Sequence, residues 1–362
     1  MNQSSIKNDY IFPFEGKKHE GTIIELPYRA DTWRNKASNA IPVFLELVKI
    51  ISKYEKVYLI CDPKIDAKTI KPFEISNVEI LRIPYNDSWA RDNTLIFLSD
   101  KKEIKAVDFG FNAWGGNVDG LYKDWTDDNK LGSNLIKSFN FPHIDAKDFI
   151  LEGGSVHSDG EGTILTTKAC LLSLGRNSNL DQPEIEKKLL NYFNAQKIIW
   201  LPHGIYNDET NEHVDNVACF LKPGVVALAS CYNKDDIQYE YYKEDLEVLK
   251  NEVDAKGRKF KIVEINVPSP LYLTKEEADG LKISDAIIRP ENNRLAASYI
   301  NFYMSDKFVI VPQFGVKEDK EALNILKEFY PNKDVYGIMS REILLAGGNI
   351  HCVTMQIPGK EE

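Results

Sequence analysis

The feature that most limits how this chain can fold is an unbroken alternation. Short runs rich in β-branched and aromatic residues follow amphipathic helical runs from one end to the other, with no Pro/Gly/Ser-rich linker or low-complexity tract between them. Such a pattern implies α/β layers and one continuous domain over residues 1–362. A helix is expected between about Trp33 and Tyr54, where Ala40, Val43, Phe44, Leu47, Val48 and Ile51 recur on one face. Strands are expected at 56–61, 78–83, 94–98, 148–152, 163–167, 197–201 and 261–265. Two hairpins bend at Pro223-Gly224 and Ser305-Asp306, and further helices fall near 183–194, 236–252 and 318–330. Double glycines at Gly115-Gly116, Gly153-Gly154 and Gly347-Gly348 hint at an internal repeat.

Charge narrows the partners. There are 45 Lys and Arg against 55 Asp and Glu, a net charge of −10, and no basic block that could neutralise a phosphate backbone. Nucleic acid is therefore disfavoured, whereas small cations are attracted. The stretch MNQSSIKNDYIFPFEGKK lacks the apolar centre of a secretory leader, and no run approaches the roughly 18 apolar residues of a membrane span, so a cytoplasmic protein without membrane contact is expected. The five cysteines are dispersed without a CxxC pair, which disfavours both a disulfide framework and a structural zinc site.

Three places could carry chemistry. Cys352 follows Gly347-Gly348, where glycines let a backbone or ligand come close, and an apolar strand is expected to break there and resume. As a lone residue it reads first as a buried small hydrophobe, the reading kept for Cys61, Cys170, Cys219 and Cys231. The stretch NDETNEHVDN crowds Asp208, Glu209, Glu212 and Asp215 around His213 with no Lys or Arg among them, so a positive charge is missing. On a strand, His213 and Asp215 would share one face. A metal site is the alternative, with His213-x-Asp215, His157-x-Asp159 and His351 as ligands. NDSWARD, residues 86–92, groups Asp87, Trp89, Arg91 and Asp92, and could equally be a turn with an internal salt bridge.

Taken together, LPYRADTWR (26–34), NDSWARD (86–92), FNAWGG (111–116), LEGGSVHSDGEGTILTT (151–167), WLPHGIYNDETNEHVDN (200–216) and EILLAGGNIHC (342–352) resemble, in the same order, the agmatine deiminases and bacterial-type peptidylarginine deiminases. The resemblance spans roughly Phe12 to Pro358. It implies a pentein fold, five ββαβ-like units with pseudo-fivefold symmetry around a central channel, and hydrolysis of a guanidinium group through a cysteine with neither metal nor cofactor. By the same likeness Cys352 is the nucleophile, His213 the acid and base, and Asp92 and Asp215 the carboxylates that grip the guanidinium. Glu209 would receive the far ammonium of agmatine, Trp89 and Trp114 would line its carbon chain, and Gly347 and Gly348 would border it. A planar, permanently charged guanidinium would then be the missing cation. Free or peptide-linked arginine is the alternative substrate; a metal-dependent hydrolase and a non-catalytic cation-binding protein are the rivals from other classes. The family also implies dimers or larger assemblies. Two positions depart from its pattern: Glu212 stands where a glycine is common, and Asn93-Thr94-Leu95 follows the W-x-R-D block.

Overall fold

The computed structural model describes residues 10–360, so the stretch read above for a leader lies outside the described residues as far as position 9. The strands form five sheets, one of four strands and four of three. Each three-stranded sheet has the same connectivity, an antiparallel pair and then a third strand laid parallel to the second after a helical crossover. A parallel neighbour requires such a crossover because a tight turn cannot reverse the chain twice. Ile96–Ser99, Ile104–Gly110 and His143–Ile150 are linked through helix Thr126–Phe139. His157–Ser158, Thr163–Thr167 and Lys197–Leu201 use helix Gln182–Phe193. Ala218–Lys222, Val225–Ser230 and Lys261–Asn266 use Ile237–Asn251, and Tyr303–Met304, Phe308–Gln313 and Asp334–Met339 use Asp319–Phe329.

The four-stranded sheet joins both ends of the described chain. Its order is Thr354–Pro358, His19–Glu25, Lys56–Ile60, Val78–Leu81, with the last strand of the chain antiparallel to the first. No helix among the described residues is long and apolar enough to cross a membrane.

Most expected elements appear, and the departures have local causes. The first helix begins at Ile41 rather than near Trp33, because Pro42 occupies its first turn and Asn35, Lys36 and Ala37 take positive φ just before it. Val214–Val217 is a helical turn, so only Ala218 onward joins the hairpin. Gly224, at φ +75°, makes the bend expected there. Arg341–Leu344 is a helical turn too, which places Cys352 in the loop before strand Thr354–Pro358 and not within a strand. The double glycines do not mark equivalent places: one follows a second strand, one a third strand and one a helix.

An aromatic ladder ties core to cavity. Phe44, fully buried on helix Ile41–Ile51, meets Trp33 edge-on at 5.6 Å; Trp33 stacks on Trp89 at 5.2 Å, and Trp89 meets Trp114 edge-on at 6.2 Å. Phe44→Ala should destabilise the protein by about 3–5 kcal/mol in denaturant unfolding, through a cavity at the foot of this ladder.

Candidate active site

The centre of the site is a backbone atom without a side chain. A Cβ built on Gly154 would stand 2.6 Å from His213 Nδ1, 2.9 Å from Asp92 Oδ1 and 3.0 Å from Asp215 Oδ2, so the imidazole and both carboxylates converge where only glycine fits. Each arrives from a different local structure. Asp92 lies in the helical turn Ala90–Asn93; His213 precedes the turn Val214–Val217, which carries Asp215. The pair therefore shares a cavity because a helical turn starts between them, not because both sit on one strand face as expected above. Cys352 is 5% exposed, and its Sγ lies 3.8 Å from Asp215 Oδ2.

Asn301 holds this group in place. Its Nδ2 donates to Cys352 Sγ at 3.2 Å, and its Oδ1 accepts the backbone N–H of His351 at 3.0 Å. Asp92 accepts from Gly154 N at 2.9 Å and from Trp114 Nε1 at 3.0 Å. Trp89 Nε1 likewise donates to Asp87 at 3.0 Å, so each indole is fixed at its polar edge. Both indoles line a cavity enclosing about 420 Å³ of empty space out to its mouth, together with Asp92, His213, Gly347, Gly348 and Cys352. A Cβ on Gly348 would meet Trp89 at 2.4 Å, while Gly347, at φ +112°, lets Glu209 approach.

Burial dominates the electrostatics. It pushes Asp92 up to about 6, against the opposing pull of His213, and the charges of Asp215 and Glu152 add to the rise. Burial also raises the Cys352 thiol far above its usual range, with Asp215 and Asp92 contributing, so the sulfur is protonated in the empty site. For His213 burial acts downward, but Asp92, Cys170 and Glu152 outweigh it and keep the ring charged at neutral pH. Asp215 is lowered despite burial, by its hydrogen bond to His351 and the surrounding cations.

The crowded acids of residues 207–216 divide their tasks. Asp208 accepts from Thr210 N, His213 N and Asn216 Nδ2 at 3.0, 3.1 and 2.9 Å, so it shapes the loop. Glu212 accepts from Gly204 N at 2.8 Å and holds a left-handed φ of +68°, where the common glycine would be free of strain. Asn93 bonds Glu25, Asp87 and Asp128 behind the site. Neither departure from the family pattern lines the cavity.

Glu209 does not stand free as expected. Arg289 grips both of its oxygens, with Nε 2.8 Å from Oε1 and Nη2 2.6 Å from Oε2, and it is Arg289 that lines the cavity. The NDSWARD turn has no internal salt bridge either, since Arg91 reaches Gln356 at 2.8 Å and Glu15 at 3.5 Å.

Sequence reasoning missed several contributors. Glu152, inside the quoted LEGGS block, approaches His213 Nε2 at 3.7 Å and is paired with Arg176 at 3.1 Å. Cys170 belongs with Glu152 and His213 in a cluster whose ligand atoms lie within 4.8 Å of one another. Arg289 and Asn301 lie in a stretch, IIRPENNRLAASYIN, that no spacing rule singles out. Of the suggested HxD metal pairs, one separates: Asp159 caps a turn through Glu161 N and Thr163 N, and His157 accepts from Phe220 N while burial lowers it to about 4. His213 and Asp215 stay together at Gly154, and His157 and His351 meet Glu15 with ligand atoms within 4.8 Å of one another.

Cys352, His213 and Asp92 thus share one narrow, aromatic-lined cavity, with Asp215 3.8 Å from the sulfur, and thiols, imidazoles and carboxylates are groups that can react with or hold a cation. The chain belongs to the Porphyromonas-type peptidyl-arginine deiminase family, whose model matches residues 11–358. A Listeria monocytogenes protein carrying the provisional name agmatine deiminase 1 is 44% identical over 99% of both chains. Among solved structures, an Enterococcus faecalis agmatine deiminase, described as catalysing its reaction, superposes with a TM-score of 0.94 at 34% identity, covering 98% of this chain and 97% of its own. A C. jejuni agmatine deiminase with substrate bound gives 0.84 at 31% identity, with the same coverages of 98% and 97%.

The raised Asp92 makes a stability prediction. A carboxyl with a higher pKa folded than unfolded favours folding when protonated, and that advantage is lost as pH rises from about 4 through about 6. Asp92→Asn should thus stabilise the ligand-free protein at pH 8, by up to about 3 kcal/mol for a shift of about two pH units. The gain should vanish near pH 3 when unfolding is followed across pH.

Proposed function

We propose that this chain hydrolyses agmatine to N-carbamoylputrescine and ammonia, with Cys352 as nucleophile. The observation that carries the reading is the convergence on Gly154 of His213, Asp92 and Asp215 beside the Cys352 sulfur. Asp215 Oδ1 and His213 Nε2 are buried without hydrogen-bond partners among the described residues, which suits a bound donor-rich cation and a reacting group. The relatives named as agmatine deiminases, whose likeness covers nearly the whole chain, support the same reading. We also infer that the five sheets are blades of a pentein propeller within one catalytic domain, a view their repeated connectivity favours.

The electrostatics suggest a sequence of events. Burial, and after it the charges of Asp215 and Asp92, keeps the proton on the thiol. A guanidinium held between Asp92 and Asp215 offsets those charges and sets a positive carbon beside the sulfur, so the thiol gives its proton to solvent as the substrate binds. The Sγ–C bond forms, His213 protonates the departing nitrogen, and the C–N bond breaks to release ammonia. His213, now neutral, takes a proton from water, whose oxygen attacks the S-alkylthiouronium carbon. The C–S bond then breaks as the new hydroxyl passes its proton to the departing sulfur, giving the ureido product and restoring the thiol.

Arg289 supports a second reading. Its Nη1 is buried without a partner among the described residues, and the guanidinium borders the cavity, where it could meet the α-carboxylate of free arginine. A side-by-side ammonia assay on agmatine, arginine and an arginyl peptide decides between them. Agmatine should give the highest kcat/KM; a clear preference for arginine would transfer the assignment. Cys352→Ser should bind agmatine within about tenfold of wild type by calorimetry yet release no ammonia, and a variant that still turns over would remove Cys352 from its role.

A further inference from the structure

The residue beside the nucleophile has its own place in the site. His351 Nδ1 lies 2.8 Å from Asp215 Oδ2, and its Nε2 lies 2.7 Å from Glu15 Oε2. The ring is 3% exposed and both carboxylates are buried. Carboxylate oxygens accept hydrogen bonds, so a ring facing one from each nitrogen must carry both protons if both acids are ionised. Glu15 is held in turn by Met304 N at 3.1 Å and Arg91 Nη2 at 3.5 Å.

Resting on the functional reading above, we propose that His351 is a positioning residue: an imidazolium clamped between Glu15 and Asp215 that keeps Asp215 ionised and turns its free Oδ1 toward the substrate guanidinium. The charge environment supports a protonated ring. Burial and Arg91 act to discharge it, while Glu15 and the hydrogen bonds to Asp215 and Glu15 outweigh them. His157, its ring 6.2 Å away, is held neutral by burial and adds no competing charge at neutral pH. Among the other titratable groups facing this row, His213 adds positive charge beside Asp215, His19, Lys333, Tyr303 and Tyr330 lie around Glu15, and the thiols Cys219 and Cys352, both pushed up by burial, are uncharged. Asp215 and Asp92 thus differ in kind. Asp92, backed by N–H dipoles, is raised to about 6, whereas Asp215, backed by a fixed cation, is lowered.

This difference should be visible in the acid limb of kcat/KM against pH, which reports ionisations of the free enzyme. In the wild type one group, Asp92, should set that limb, near pH 6 and with unit slope. His351→Asn keeps a donor for Asp215 but removes the charge, so Asp215 becomes a second group that must ionise. The limb should move upward and steepen toward a slope of two. At pH 7 the KM should rise about tenfold or more while kcat stays within about threefold, as expected when binding common to ground and transition states is lost. A purely structural residue would lower the whole profile without changing its shape. Glu15→Gln, which discharges His351 from behind, should move the limb in the same direction, and the double variant should add little to His351→Asn. If His351→Asn folds poorly by thermal melting, Glu15→Gln carries the same test. An unmoved limb of unit slope in a folded variant, with the wild type active on agmatine, overturns this proposal and leaves the functional reading standing. A wild type that turns over no guanidine overturns both.

Discussion

Everything in the site depends on keeping carboxylates out of water and close to one another. A desolvated anion is costly unless a specific partner compensates it. Glu152 has Arg176, Asp215 has His351, and Asp92 relies on Gly154 N, Trp114 and His213. The compensation is unequal, and Asp92 is the least well supplied. A cavity built this way carries charge that its own residues leave incompletely offset, and that is the condition the proposed cationic substrate would relieve.

The same logic separates scaffold from function among residues 207–216. Asp208 and Glu212 are satisfied by backbone N–H groups, and Glu209 by Arg289. Of the four acids, Asp215 alone keeps a buried oxygen without a hydrogen-bond partner among the described residues. The positive charge that seemed missing from the local sequence is thus supplied from a distance, by Arg289 for Glu209 and by His351 for Asp215, while Asp208 and Glu212 take N–H groups from their own neighbourhood.

That division explains what could be read from the chain and what could not. Strand and helix runs such as 163–167, 197–201 and 236–252 were legible because periodicity and capping are local properties. Cys352, His213, Asp92 and Asp215 were legible through extended motif blocks, and the structure brings all four together. Arg289, 80 positions from Glu209, and Glu15, 336 positions from His351, were not, because an ion pair across the fold leaves no trace in local spacing. The helical turn at Val214–Val217 was missed for the opposite reason: its β-branched residues favour a strand, and tertiary packing overrode them.

The sheet that unites Thr354–Pro358 with His19–Glu25 has a mechanical consequence. Cys352 lies two residues before Thr354, which pairs with Ile24. A slip of one residue in that register would carry the sulfur about 3.4 Å along the sheet, away from the groups gathered at Gly154, so the aim of the proposed nucleophile is set by the pairing of two strands far apart in sequence.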